Sequence, residues 1–332
     1  MRKGIVLLVL AILAGCSLPF GGSSSSSNNN SSASASPSTG PGIAASKTLN
    51  AEFWFEGFHV TLGDVAYKPP TSPTPGVTNV PSELTIAAKF ENLGKDTRGY
   101  FARMSMASNS QAYTSPGNSQ KLPNVPGKST ANGVISFETD EKFNLDDAVL
   151  TIGEATGNQP VIPLGKTGTA KTLQPRPLQI SGAVNQASEY TLNVTGGVLS
   201  YDDVVAHREL DAGTALITIN YSTTGTGTHP CCISRDHVQL KVPDGTSVEA
   251  EVVETTVAIP AKGTTRQGDY VTFIIKLPAE GAYDAIFNSS NTMGQSADIL
   301  FTITASGTTG GGTGTTQGTS PGASAGATPS VH

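Results

Sequence analysis

Alternation of apolar and polar positions dominates the middle of this chain. Leu84, Ile86, Ala88 and Phe90 alternate with Thr85, Ala87 and Lys89. This period of two is that of a half-buried strand, whose successive side chains point to opposite faces. Folded sequence is expected to begin near Leu49, where Phe53-Trp54-Phe55 reads as a first strand and Phe58 leads into Val60, Leu62 and Val65, ending at Tyr67. Residues 100–106, 134–137, 148–152 and 161–164 predict others. A loop rich in proline (Pro69, Pro70, Pro73, Pro75, Pro81) interrupts the series. No apolar pattern of period 3.6 is sustained over ten residues, so an all-β chain is expected. The one unbroken apolar run, residues 5–14, follows Arg2 and Lys3. Ten residues are too few to span a bilayer as a helix, which needs roughly 20.

The pattern repeats. Phe58-His59-Val60-Thr61, followed by Gly63 and Tyr67, matches Leu192-Asn193-Val194-Thr195, followed by Gly197 and Tyr201. Ile86, Phe90 and Gly94 match Ile217, Tyr221 and Gly225; Pro126, Lys128 and Thr130 match Pro260, Lys262 and Thr264; Phe137 matches Phe273. The offsets of the four blocks are 134, 131, 134 and 136, and near-constant spacing predicts two homologous units in tandem. Each has room for about seven short strands separated by turn signals, the expectation for an immunoglobulin-like sandwich, although the Cys…Trp…Cys signature of antibody domains is missing. The expected fold is therefore all-β: two tandem immunoglobulin-like β-sandwich domains, 48–165 and 178–305, joined by a linker at 166–177 that contains Gly168, Pro175 and Pro177.

Composition supplies the flanks. Residues 16–47 are rich in Ser, Asn, Ala, Pro and Gly, and residues 306–332 in Gly, Thr, Ser, Ala and Pro. Such tracts have little apolar area to bury, and both are expected to be disordered. A flexible tether of about 30 residues has a root-mean-square reach of roughly 30 Å.

Arg2 and Lys3, the apolar run and the small residues before Cys16 have the layout of a secretory signal peptide at 1–15. Leu13-Ala14-Gly15-Cys16 resembles the lipobox of bacterial lipoproteins. That resemblance implies cleavage before Cys16, a diacylglyceryl group and palmitate-type acylation on it, and a protein anchored by lipid to the extracytoplasmic face of the cell membrane. Two acyl chains suffice for stable attachment where one does not. The mature chain then has 317 residues, with 18 basic against 26 acidic side chains, a formal charge of −8. An acidic chain has no electrostatic footprint for nucleic acid or for an anionic membrane surface. The tandem pattern resembles the small extracellular β-sandwich modules of bacterial surface proteins, including the mycobacterial immunoprotective-antigen type. This implies a non-catalytic binding or structural role at the envelope, toward a protein or glycan.

Candidate chemistry is sparse. His229-Pro230-Cys231-Cys232, with His237 beyond, offers ligand types suited to copper or zinc, but adjacent cysteines lack the spacing of a structural zinc site. The loop admits three states: a vicinal disulfide between Cys231 and Cys232, reduced thiols, or a metal held by His229, Cys231, Cys232 and His237. The alternative function it raises is a metal-binding or redox-linked surface module; otherwise no cofactor is expected. Trp54 is a candidate binding surface, because alternation sets it opposite Phe53 and Phe55. The acidic pairs Asp140-Glu141, Asp146-Asp147 and Asp202-Asp203 lack the spacing of a calcium loop and read as solvated turn residues. The Gly-x-Ser-x-Gly strings at 318–322 and 322–326 lie in the low-complexity tail, without the strand and helix a nucleophile elbow needs. No phosphate loop or dinucleotide fingerprint is present, and the chain is not expected to be an enzyme.

Overall fold

The computed structural model describes residues 44–71, 82–115, 122–165, 168–186, 190–204, 206–227, 233–253, 259–288, 295–305, 307–309 and 317–318. Cys16, the signal segment, His229, Cys231 and Cys232 lie outside the described residues. No helix among the described residues is long and apolar enough to cross a membrane.

The first half of the chain forms β1 (Ala45–Phe55), β2 (Phe58–Lys68), β3 (Ser82–Asn92), β4 (Arg98–Gly99), β5 (Met104–Ser108), β6 (Gln111–Thr114), β7 (Asn124–Val125), β8 (Thr130–Thr139), β9 (Val149–Ile152) and β10 (Val161–Pro163). One sheet has the order β1-β2-β3-β8 and the other β10-β9-β5-β6. Their inward side chains, among them Phe53, Val60, Ile86, Met106, Phe137 and Leu150, make one buried cluster. Glu56 and Gly57 both have positive φ (48° and 78°), which closes the β1–β2 hairpin as the two-residue turn that suits twisted strands.

The second half forms β11 (Arg176–Leu178), β12 (Gly182–Gln186), β13 (Tyr190–Ser200), β14 (Asp202–Asp203), β15 (Arg208–Glu209), β16 (Thr214–Gly225), β17 (Val238–Lys241), β18 (Ser247–Glu249), β19 (Val252–Val253), β20 (Thr265–Lys276), β21 (Gly281–Asn288), β22 (Gln295–Thr304), β23 (Gly307–Thr309) and β24 (Gln317–Gly318). Its sheets run β12-β13-β16-β20 and β22-β21-β17-β18, with β11 and β19 added to the first and β23 and β24 to the second. They enclose a second cluster that includes Leu192, Ile217, Tyr221, Phe273 and Phe287. The strand order of the two halves is the same. That arrangement is all-β and sandwich-like.

A shared irregularity follows from the sequence. The β2–β3 register slips between Leu62 and Val65, and the β13–β16 register slips between Val194 and Gly196. An extra residue at these points restores the inward face, which is why Leu62 and Val65, three apart, are both buried.

Several expectations need correction. The first strand begins at Ala45, so residues 45–47, assigned to the tether, are paired with β2. Tyr100 is not in a strand: β5 starts at Met104, and Tyr100 packs edge-on against Phe58 from the preceding loop. The 166–177 stretch is no loose linker in its described part. Lys171 bridges Val161, Thr172 O accepts from Trp54 N–H, Leu173 is buried in the first core, and Arg176 already pairs with β13. Two pieces of the 306–332 tail, β23 and β24, add to β22. An exposed strand edge offers backbone donors and acceptors that any chain can satisfy, including one of Gly and Thr.

Candidate functional site

The two sandwiches meet at a hairpin, residues 201–213, that leaves the end of β13 and returns into β16. It carries the short β14–β15 ladder, in which Asp202 pairs with Glu209 and Asp203 with Arg208. Glycines of the first sandwich make room for it. A Cβ on Gly57 would lie 2.9 Å from His207 Nδ1, and one on Gly94 2.8 Å from its Cε1. Cβ atoms on Gly153 and Gly157 would collide with the Glu209 carboxylate. Four glycines thus form a socket whose shape only a residue without a side chain permits.

Hydrogen bonds close the joint. Gly57 N–H donates to Asp202 Oδ2 at 2.7 Å, and Glu154 N–H to both Glu209 oxygens at 2.9 and 3.1 Å. Asn158, 4% exposed, donates from Nδ2 to Tyr201 O at 3.0 Å and Thr214 O at 2.8 Å. Backbone bonds run from Asn158 N–H to Leu210 O and from Ala212 N–H to Thr156 O. Asp203 is held by Arg208 Nε at 3.0 Å, and the same guanidinium reaches Glu251 at 2.7 Å.

The Asp202-Asp203 pair, expected to be solvated, is buried: 2% and 1% exposed. It sits under the first sandwich, whose turn supplies the Gly57 amide. Burial, reinforced by neighbouring Asp203, pushes the Asp202 carboxyl up to about 6, against the downward pull of the Gly57 amide and its own backbone. Burial also raises Glu56, with Glu209 and Asp202 adding to the rise and Arg98 opposing it. Glu209 is raised by burial, against the pull of the Glu154 amide. His207 is lowered by burial and by Arg98.

Beside the hairpin lies a cleft of about 550 Å³ lined by both sandwiches, within the size range of small-ligand sites. The first sandwich contributes Leu93 and the exposed Lys95, Asp96 and Lys128; Lys128 Nζ bonds Leu93 O. The second contributes the outer face of its β13-β16-β20 sheet: Val198, Ser200, Leu216, Thr218, Asn220 and Tyr270. Leu216 is 1% exposed yet belongs to neither hydrophobic cluster, because the first sandwich covers the sheet face on which it stands. The site is therefore apolar at its base and polar at its mouth.

The residues singled out from sequence fall elsewhere. Trp54 stacks on His59, centroids 4.3 Å apart and planes 4° from parallel, while His59 contacts Glu52 at 3.0 Å and Glu91 at 3.1 Å. Trp54 does lie opposite the buried Phe53 and Phe55. His237 closes a single 3-10 turn, its Nδ1 3.1 Å from Ser234 Oγ; the other members of its proposed metal set lie outside the described residues. Among the described residues no three His, Cys, Asp or Glu side chains are grouped to hold a metal. Sequence reading missed Asn158, His207 and Glu209, and took Asp202 for a solvated turn residue. Comparison with protein-family models, with curated proteins and with solved structures found no match to this chain.

Proposed function

We propose that this chain is a lipid-anchored, non-catalytic binding module of the cell envelope, which presents the cleft between its two sandwiches to a glycan or protein outside the membrane. The observation that carries the reading is the cleft itself: about 550 Å³, with walls from both sandwiches, an apolar base at Leu216 and Val198, and Asn220, Thr218 and Tyr270 as polar groups within it. Concave sites with an apolar body and a few convergent polar groups are the usual form of a binding site. The anchoring half of the reading is supported by Leu13-Ala14-Gly15-Cys16 and the composition of the tether.

Co-sedimentation with purified peptidoglycan tests the binding half. The probe is isolated cell-wall glycan, and the protein is the full chain from residue 16 with Cys16→Ser. Saturable sedimentation that falls at least tenfold in a Tyr270→Ala, Asn220→Ala double variant, and survives Trp54→Ala, is the expected result. Sedimentation indifferent to the cleft variant, or none at all, counts against the cleft as a glycan site.

A further inference from the structure

The hairpin that joins the sandwiches gathers more ionisable groups than any mechanical joint needs. From the first sandwich, Glu56 stands in the β1–β2 turn, Arg98 in β4, and Asp96 and Tyr100 on either side of β4; Glu154 sits beyond, paired with Arg103 at 2.9 Å. From the hairpin come Asp202, Asp203, His207, Arg208 and Glu209. The arginine nearest Asp202 in the hairpin is committed to Asp203 and Glu251. Arg98 acts on Glu56 and His207. Asp202, 2% exposed, has only backbone amides, that of Gly57 and its own, acting on its carboxyl, and no cation among the described residues.

We propose that residues 201–213 are an acid-tightened clasp, which grips the β1–β2 turn most firmly in mildly acid medium and loosens as the medium approaches neutrality. The physical cause is the cost of a buried negative charge without a cation of its own. When Asp202 takes a proton from solvent the side chain is neutral and Gly57 N–H still has an oxygen to donate to. When it ionises, the charge lies beside Asp203 in a site closed to water. Opening the clasp restores hydration, so ionisation favours the open form.

The sign follows from linkage. Asp202 has its ordinary value of 3.8 when solvated and about 6 when clasped. Its contribution is fully present below 3.8, is lost as pH rises through 6, and is absent above. The two-unit gap corresponds to about a hundredfold change in the opening equilibrium. Glu56 and Glu209 are shifted in the same direction. His207 is shifted the other way and opposes them as pH falls below its ordinary 6.5. Val204 and His207 of the clasp also line the cleft, but the amide and carboxyl readouts below need no ligand, so this inference stands or falls separately from the binding role.

Hydrogen exchange at the Gly57 amide of the intact mature chain, corrected for intrinsic rate, tests it. Protection is expected to fall about tenfold between pH 5 and pH 7.5. An isolated hydrogen bond would behave in the opposite sense, because an ionised Asp202 is the better acceptor. Asp202→Asn keeps the shape and an acceptor but cannot ionise; it should lose most of the fall. Glu209→Gln should keep most of the fall. Protection that is constant or rises with pH, or an unchanged fall in Asp202→Asn, overturns the proposal. Titration of the Asp202 carboxyl carbon by NMR in the unmodified chain gives a reading independent of any variant's folding: a midpoint near 6 supports the clasp, and one near 3.8 overturns it.

Discussion

Asn158 is the residue on which the joint between the sandwiches turns, and Asn158→Ala measures how much the joint contributes. The side chain is 4% exposed and gives its two amide protons to Tyr201 O and Thr214 O at 3.0 and 2.8 Å. Alanine leaves both carbonyls without those donors. A buried polar group deprived of its partner costs about 1–3 kcal/mol. Here the lower end applies to each, since a carbonyl has a second lone pair and a recess of about 460 Å³ lined by Asn158, Leu173, Tyr201 and Leu277 gives water a route in. The expected loss is therefore about 2–3 kcal/mol in total. Urea unfolding of the mature chain, followed by far-UV circular dichroism, reads it as a lower midpoint. For a chain of this size, thermal unfolding should shift down by about 5 °C. Because the bonds cross from one sandwich to the other, the variant should also separate the unfolding of the halves, turning one transition into two. A loss below about 0.5 kcal/mol with a single sharp transition would refute the reasoning, since the joint would then not be made in solution.

Other consequences are open to the same assays. Phe137 and Phe273 occupy matching places in β8 and β20 and are fully buried, so Phe137→Ala and Phe273→Ala should each cost about 3–5 kcal/mol, seen as a loss of midpoint in the sandwich that carries the change. Gly57→Ala meets both a φ of 78° and His207 Nδ1 at 2.9 Å. It should cost about 1–3 kcal/mol, and His207→Ala in the same chain should recover the steric part while the backbone part remains, a coupling that a double-mutant cycle on urea midpoints isolates. Trp54→Ala, which removes the stack on His59, should cost only about 1 kcal/mol beyond the buried area lost; unchanged midpoints would show that the stack does not form. Since Trp54 is the sole tryptophan, its emission in the unmodified chain should change when His59→Ala removes the stacked ring.

Strand alternation is a property of single segments, and it was legible. Phe53, Val60, Leu84, Ile86, Phe90 and Phe137 are all buried, as a period of two requires. The matched blocks fall on matched strands, β2 with β13, β3 with β16, β8 with β20. The joint was not legible, because burial there is conferred by another sandwich. Nothing local to Asp202-Asp203 distinguishes a pair in open solvent from a pair covered by the Gly57 turn, and Leu216 reads as a strand residue whichever face it occupies. Gly94, Gly153 and Gly157 look like ordinary turn glycines until His207 and Glu209 fill the space above them. The composition of 166–177 suggested a free linker, since proline and glycine mark chain reversal without saying whether Leu173 finds a core. Trp54 drew attention because aromatic side chains are conspicuous, yet its neighbour across the strands, His59, accounts for its position.

The central claim, that this is a lipid-anchored surface module, is tested most directly by the intact mass of the protein extracted from membranes of the cell that makes it. The account predicts a chain that starts at Cys16 and carries the added mass of a diacylglyceryl group, and its conversion to a released, unacylated form by Cys16→Ser. A chain that retains residues 1–15, or one that starts near residue 16 without acyl mass, would contradict it.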